Sequence, residues 1–244
     1  PEREDYAFDG WDTADGAKVT VVPTGAAALT AKWTAGNVNF TVEHYVMAPD
    51  GDYELKAEDN TAQGAVESTV TLNTLKDAGY EVENGISYDH ASVGGSAAPA
   101  TETTVVKGMT VKLYYDRKAF TVTFDPKEGT LDGETVRTLR YGASLTGIAP
   151  TREGYAFTGW YTDEACTAKL ETVPAQAESA LTLYAGWEAN KVTVTVKHMR
   201  MNTSGVYELH GTGTYSVESG AAVSPGDYAD NNITQDTSNC IAYD

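Results

Sequence analysis

Histidine is the first residue type to test for chemistry, because imidazole serves both as a general base and as a metal ligand. Two of the four histidines, His44 and His198, each stand eleven residues after a tryptophan. Neither has a second histidine at the spacing of a metal site. His90 and His210 have no equivalent histidine in the other copy of the repeated sequence. We therefore predict structural roles for the histidines, with no catalytic residue and no metal site.

Sequence motifs of other catalytic, metal-binding or phosphate-binding sites are equally rare. Cys166 and Cys240 could form at most one disulfide, and their spacing does not favour it. The sequence has neither the G-x-S-x-G turn of a serine nucleophile nor the G-x-x-x-x-G-K loop that binds phosphates. Asp50, Asp52 and Glu54 could offer oxygen ligands to calcium, but no EF-hand pattern accompanies them, so we interpret them as solvated turn charges. The sequence thus predicts a protein that is not an enzyme and has no cofactor.

Tyrosine is the residue type that could act at the surface, since its ring offers a flat apolar face and a polar rim that suit sugar rings and interfaces. The candidate ligand contacts are Tyr45, Tyr53 and Tyr207. The alternative is packing in a core or against a neighbouring module. Of the adjacent Tyr114 and Tyr115, only one can face each side of a strand.

An internal repeat organises the chain. Residues 1–11 read PEREDYAFDGW and residues 150–160 read PTREGYAFTGW, with eight of eleven positions identical. Such similarity at a fixed offset indicates repeated structural units. The repeat predicts matching strand orders in its two copies and equivalent environments for Trp11 and Trp160.

A second repeated segment follows the first. His44 and Tyr53 correspond to His198 and Tyr207 at an offset of 154 residues, against 149 at the first tryptophan. Tyr45, however, is replaced by Met199 in the second copy. This substitution favours either a ligand site in a single copy or no ligand site at all.

The repeating unit therefore has two parts, A and B, and divides the chain into four modules. Residues 1–36 are the C-terminal part of an A module, 37–117 a complete B module, 118–189 a complete A module, and 190–244 the N-terminal part of a B module. We expect the chain to be a piece of a longer array.

Charge restricts the partners. The 35 acidic and 17 basic side chains give a net charge of −18, and residues 37–116 alone hold 13 acidic and 4 basic residues, a net −9. A surface this acidic repels phosphates and anionic lipid headgroups, which argues against a nucleic-acid partner. No window approaches the roughly 18 apolar residues that span a bilayer, so we expect no membrane insertion.

The secondary structure reads as strands. Apolar residues alternate with polar ones at Phe120, Val122 and Phe124 and again at Val192, Val194 and Val196, as a sheet with one covered face requires. The best helix candidate is short, from Leu72 to Ala78, with Gly79 as its stop signal. The predicted fold class is mostly β, between all-β and α+β.

Residues 120–187 carry a family resemblance. They begin FTVTFD, continue with GYAFTGWYTD and close with LTLYAGW, and in this they closely resemble the Listeria–Bacteroides repeat, also called the internalin B-repeat. Residues 37–117, with VEHY, DGDY and VKLYY, resemble a mucin-binding-protein (MucBP) repeat. The resemblances imply tandem β-grasp-like modules, arranged as an elongated array along secreted or wall-attached bacterial proteins that are usually adhesins.

These observations lead to one functional expectation and its alternatives. We expect a non-catalytic repeat region of an extracellular bacterial protein, secreted or on the cell surface, that adheres to a host glycan, mucin or protein. The alternatives are a stalk that projects another domain, or the accessory tail of a large secreted enzyme. In each case neighbouring modules of the same chain are partners.

Overall fold

The computed structural model of the chain describes residues 1–21, 24–25, 28–176 and 178–224. Within these residues the regular structure consists of strands and two short 3-10 turns, without an α-helix. The prediction of a mostly β fold is confirmed. Residues 225–244, the end of the last predicted module with Cys240, lie outside the described residues.

The chain divides into two compact units. Unit 1 comprises Pro1–Thr121, Thr138–Ser144 and Thr172–Ala180, and unit 2 comprises Val122–Arg137, Leu145–Glu171 and Leu181–Asp244. The four module boundaries proposed from the sequence stay predictions.

The strands of residues 1–117 form three sheets. They are β1 (Tyr6–Thr13), β2 (Leu29–Ala35), β3 (Asn37–Met47), β4 (Tyr53–Ala65), β5 (Thr69–Thr71), β6 (Ile86–Val93), β7 (Glu102–Thr104) and β8 (Thr110–Arg117). β1 pairs with β2 and β5 with β7, and the remaining four strands form a sheet in the order β4-β3-β8-β6.

This four-stranded sheet is mixed. Its two central strands, β3 and β8, run parallel, and each has an antiparallel outer neighbour. Alternate residues of the central strands point into a hydrophobic core, because successive side chains of a strand face opposite sides. The fully buried core residues of this sheet include Val111, Leu113 and Tyr115 on β8, and Leu72 packs on them from the β5–β6 connection.

The predicted helix from Leu72 to Ala78 is wrong in type. The segment forms two 3-10 turns, Leu72–Leu75 and Ala78–Tyr80, with Lys76 in an extended conformation between them. Asp77 ends any continuous helix here, because its carboxylate accepts the backbone N–H of Gly79 and caps the second turn. A run of seven residues is too short to offset the cost of helix nucleation.

The strands of residues 119–218 come next. They are β9 (Ala119–Asp125), β10 (Val136–Arg140), β11 (Tyr155–Tyr161), β12 (Lys169–Leu170), β13 (Ala180–Ala189), β14 (Lys191–Met201) and β15 (Tyr207–Glu218). The first five form a sheet in the order β10-β9-β13-β11-β12, and β14 and β15 form a hairpin. Phe120, Val122 and Phe124 of β9 are buried, as their alternation predicts.

The repeated sequences adopt the same strand pairing. β1 pairs antiparallel with β2, and β11 pairs antiparallel with β13. The first pair has a register shift between Phe8 and Gly10, and the second has it between Phe157 and Gly159, which is the equivalent place. Each shift uses a glycine with a positive φ, a conformation that side chains disfavour.

The second repeated segment shows the same agreement. β3 pairs with β4 and β14 with β15, both antiparallel. The register shifts between His44 and Tyr45 in one pair and between His198 and Met199 in the other. The β3–β4 pair has a further register shift between Phe40 and Val42 that the β14–β15 pair lacks. The sequence repeat is therefore a structural repeat that includes the bulge after the histidine.

Candidate ligand-binding face

The face of the four-stranded sheet opposite its core carries aromatic side chains. Tyr45 of β3, Tyr114 of β8, Tyr53 of β4 and His90 of β6 are all half-buried on this face. The register places Tyr45 beside Tyr114 and His90 beside Tyr114, so the rings form a row across the sheet. We call these four residues the aromatic row.

The rings of the aromatic row contact one another. The centroids of Tyr45 and Tyr114 are 5.2 Å apart with an interplanar angle of 20°. On the other side, His90 stacks on Tyr114 at 4.5 Å and 12°. Tyr53 meets Tyr114 at 4.9 Å and 76°. Since both faces of Tyr114 are covered by stacked neighbours, its contact with Tyr53 uses its ring edge.

Carboxylates accept hydrogen bonds from the Tyr45 and Tyr53 hydroxyls of the row. The Tyr45 hydroxyl donates to Glu43 Oε2 at 2.8 Å, and this bond raises the pKa of Tyr45 to about 12. The Tyr53 hydroxyl donates to Asp116, and burial together with this bond raises the pKa of Tyr53 as well. Both phenols therefore stay protonated and oriented over the whole physiological range of pH.

Further charges flank the row. Asp89 Oδ2 lies 2.6 Å from His90 Nδ1. On the other side, Lys112 Nζ lies 3.9 Å from Glu43 Oε2 and 5.7 Å from the centroid of the Tyr45 ring. The surroundings are thus mostly anionic, and Lys112 lies near both the Glu43 carboxylate and the Tyr45 ring.

This arrangement suits binding better than bond making. Carboxylates accept hydrogen bonds at about four lone-pair positions each, so Glu43 and Asp116 keep acceptor capacity beyond their tyrosines. Ring edges carry partial positive charge and apolar C–H groups. The face can therefore receive hydroxyl donors and apolar or cationic groups, while it repels anions.

The opposite, core side of the sheet buries His44, which is 7% exposed. Its Nδ1 lies 3.0 Å from the Tyr115 hydroxyl, which accepts the backbone N–H of Asp77 at 2.8 Å. The imidazole also stacks on Tyr80 with a centroid distance of 5.2 Å. His44 is thus a packed core residue. Among the residues that the structure describes, no three His, Cys, Asp or Glu side chains converge as a metal ion would need.

The structure brings together only two of the three tyrosines that the sequence proposes. Tyr45 and Tyr53 meet through Tyr114, whereas Tyr207 lies on the β14–β15 hairpin and is 41% exposed. Sequence reasoning missed His90, because its place beside Tyr114 depends on a register shift between Tyr88 and His90 in the β6–β8 pair. No local pattern in the sequence signals that shift.

The remaining candidate residues form local structure. Asp50 accepts the backbone N–H of Asp52 at 3.1 Å, and Glu54 pairs with Lys56, as surface turns and strands commonly do. Cys166 is half-buried with a φ of 56°, and its sulfur lies 3.5 Å from Lys127 Nζ.

Comparison with known proteins supports one of the two resemblances. Residues 120–186 match the family model of the Listeria-Bacteroides repeat domain. Repeats of this family occur in surface proteins and are generally non-catalytic. The resemblance of residues 37–117 to MucBP repeats rests on the residues quoted above alone.

Two relatives come from Evansella cellulosilytica. A protein named as a Gly-rich membrane protein is 27% identical over 208 residues, which make up 79% of this chain and 23% of that protein. A protein named as a membrane protein is 31% identical over 93 residues, which make up 38% of this chain and 14% of that protein. The chain thus spans less than a quarter of the length of either relative. No helix in the described part of this chain is long and apolar enough to cross a bilayer.

Proposed function

We propose that this chain is an extracellular adhesive repeat region of a bacterial surface protein, and that the aromatic row binds a neutral glycan. The observation that carries the proposal is the grouping of four half-exposed rings on one sheet face, framed by Glu43, Asp89 and Asp116. The match of residues 120–186 to a repeat family of surface proteins supports the setting. The proposed activity is binding, without catalysis.

A neutral glycan suits the chemistry of this face. Sugars present apolar C–H faces and hydroxyl donors, which match aromatic rings and carboxylate acceptors. Anionic glycans are disfavoured, because residues 37–116 carry a net charge of −9. Repetition in a longer array would compensate for weak single sites through avidity.

A spacer is the second candidate function, and two observations favour it. The stacked rings of Tyr45, Tyr114 and His90 cover each other's faces, which leaves mainly ring edges for a ligand. Met199 at the position of Tyr45 also shows that the second copy does not reproduce the row. In that case the row stabilises the sheet and the module projects another domain.

The chain itself supplies the variant that tests the proposal. Tyr45→Met introduces the residue of the second copy and keeps a large apolar side chain. Displayed multivalently on a glycan array, the whole chain should bind neutral glycans, and Tyr45→Met should reduce binding at least about tenfold. Tyr207→Phe is the matched control, because it leaves the aromatic row intact.

Three results of this experiment would contradict glycan binding at the aromatic row. No binding above background, together with a rod-like shape in solution scattering, would leave the spacer function and remove the adhesive one. Binding of a basic protein with no glycan binding would assign the same face to a different ligand. An equal loss in Tyr207→Phe would place the ligand site elsewhere.

A further inference from the structure

The chain enters and leaves the four-stranded sheet on two neighbouring strands. β3 is the first strand of this sheet and β8 the last, and the two lie side by side at its centre. They run parallel, with Thr41–Val46 opposite Thr110–Tyr115. Gly108 donates its backbone N–H to the Asn39 oxygen at 3.0 Å, which extends the ladder toward the start of β3. The start of β3 and the end of β8 therefore lie at opposite ends of one hydrogen-bonded ladder.

The connections on either side of this sheet are short. Gly36 alone separates β2 from β3, and Lys118 alone separates β8 from β9. Each of these residues is itself held by a backbone hydrogen bond. Gly36 donates its N–H to the Asp5 oxygen at 2.8 Å, and Lys118 donates its N–H to the Gly85 oxygen at 2.9 Å. Tension along the chain would therefore act directly on the start of β3 and the end of β8.

The direction of such a load decides how the ladder resists it. Pulling the start of β3 and the end of β8 apart acts along the two strands in opposite directions. The evenly spaced hydrogen bonds of a parallel pair then share the load and must break nearly together. A pull on the two strands from the same end would instead separate the residue pairs one at a time. The arrangement of β3 and β8 therefore gives the higher barrier for tension along the chain.

Side chains join the same two strands on the core face of the sheet. Val42 of β3 and Val111 of β8 are opposite each other in the register, and both are buried. Further along, His44 Nδ1 lies 3.0 Å from the hydroxyl of Tyr115, which is fully buried. Their burial keeps water away from the ladder on this face, and water is the partner that would otherwise replace broken backbone hydrogen bonds.

The ladder is also held on its other face and at its end. Tyr45 of β3 stacks on Tyr114 of β8, so two members of the aromatic row join the two central strands. The side chain of Arg117, the last residue of β8, donates Nε to the backbone oxygen of Met47, the last residue of β3. Contacts between β3 and β8 thus lie on both faces of the sheet and at the point where the chain leaves it.

We propose that residues 37–117 have a mechanical function, in which the paired segments Thr41–Val46 and Thr110–Tyr115 act as a clamp that keeps the sheet folded under tension. The load enters through Gly36, crosses from β3 to β8 and leaves through Lys118. A repeat region of a surface protein is under tension whenever the object that it holds, or the domain that it projects, is pulled away from the cell. The proposal therefore stands whether the chain is adhesive or a spacer.

Single-molecule force spectroscopy on the full chain tests the clamp in two pulling directions. Both versions carry Ala119→Cys as one attachment point, with Cys166→Ser and Cys240→Ser so that the handles attach only where intended. The second attachment point is either Asn37→Cys, which shears β3 against β8, or Asp52→Cys, which peels the two strands apart from one end. The three attachment positions are exposed. At equal force the sheet should remain folded at least about tenfold longer in shear than in peeling, a ratio that corresponds to one additional net hydrogen bond broken at the barrier.

A matched pair of valine variants, made in the version that is pulled in shear, tests where the resistance lies. Val111→Ala in β8 and Val105→Ala, which lies between β7 and β8, remove the same atoms from the same hydrophobic core, at positions that are 0% and 1% exposed. Both should lower the free energy of unfolding in urea, because each leaves a cavity. Under shear, only Val111→Ala should shorten the folded lifetime, by at least about threefold, because only its contacts are broken at the barrier.

Two results would overturn the proposal. Equal folded lifetimes in shear and in peeling would show that the ladder does not act as a clamp. Equal effects of Val111→Ala and Val105→Ala under shear, whether large or absent, would show that the resistance does not lie between β3 and β8. Glycan binding at the aromatic row is not measured in this experiment, so either result leaves the binding proposal unaffected.

Discussion

At the scale of single residues, His44 is the group whose environment has the most direct consequence for stability. Burial is the main cause that lowers the pKa of His44 below its ordinary value of 6.5, while Asp77 and Asp59 oppose the shift. The Tyr115 hydroxyl accepts from Asp77, so its own proton is available to Nδ1, which can accept it only while the imidazole is neutral. The folded state is therefore more stable when the His44 imidazole is neutral.

The sign of the pH dependence follows from this shift. As the pH falls below about 7, the unfolded chain takes up a proton on His44 before the folded chain does, so the free energy of unfolding decreases. His44→Leu removes this contribution, and it should lose less stability than the original chain between pH 7.5 and 5.5 in urea titrations. His198→Leu, at the equivalent and less buried position, serves as the control. Parallel pH profiles for all three proteins would contradict the assignment.

At the scale of elements, the two A copies offer a matched comparison of the same side chain with and without a covering strand. Trp160→Ala removes a fully buried indole and should cost about 3–5 kcal/mol. Trp11→Ala removes a ring that is 39% exposed and should cost clearly less, of the order of 1 kcal/mol. Hydrogen exchange in β13 and β2 reports the two losses separately. Equal costs would show that β9 adds little to the environment of Trp160.

Another element-scale contact fastens the end of β8 to residues 138–144 within unit 1. The Arg117 guanidinium donates Nη1 to the Tyr141 backbone oxygen at 3.0 Å, and its Nε donates to the Met47 backbone oxygen. Arg117→Met leaves two carbonyls without a charged donor and should cost about 1.5–3 kcal/mol, seen as faster exchange around Tyr141.

The control for this prediction is Arg137→Met. Arg137 also donates to two backbone oxygens, but these belong to Asp132 and Glu134 in the loop directly before its own strand, β10. Its replacement should therefore cost less than about 1 kcal/mol. A larger loss for Arg137→Met than for Arg117→Met would mean that the contact at the end of β8 contributes little.

These elements also show how much of the fold and of the candidate site the sequence predicts. Strand type and the repeat are visible in the sequence, because alternation and the eight identities at residues 1–11 and 150–160 are local patterns. The break of the predicted helix at Lys76 and Asp77 has local causes, which the apolar pattern alone does not reveal. The stacking of His90 on Tyr114 depends instead on the pairing of β6 with β8, which no local pattern encodes. The exposure of Trp11 is missed for the same reason, because identical local residues acquire burial only from a distant strand.

At the scale of the whole molecule, the net charge of −18 is distributed unevenly, and this affects stability as well as partners. Residues 37–116 have a net charge of −9, against −3 for residues 117–189. Like charges on one compact region repel each other, and salt screens this repulsion over a Debye length of about 10 Å at 0.1 M. Added salt should therefore stabilise residues 37–116 more than residues 117–189.

Two triple variants test this effect with equal changes of charge. Glu58, Glu83 and Glu102 are exposed acids of the first region, and Glu153, Glu164 and Glu178 are exposed acids of the second. Raising NaCl from 10 to 200 mM should increase the free energy of unfolding of the original chain by roughly 0.5–1 kcal/mol. Replacing the first three with Gln should remove more of this increase than replacing the second three, because it relieves the more crowded set of charges. Equal salt responses of the two variants would show that the concentration of charge on residues 37–116 has no energetic consequence.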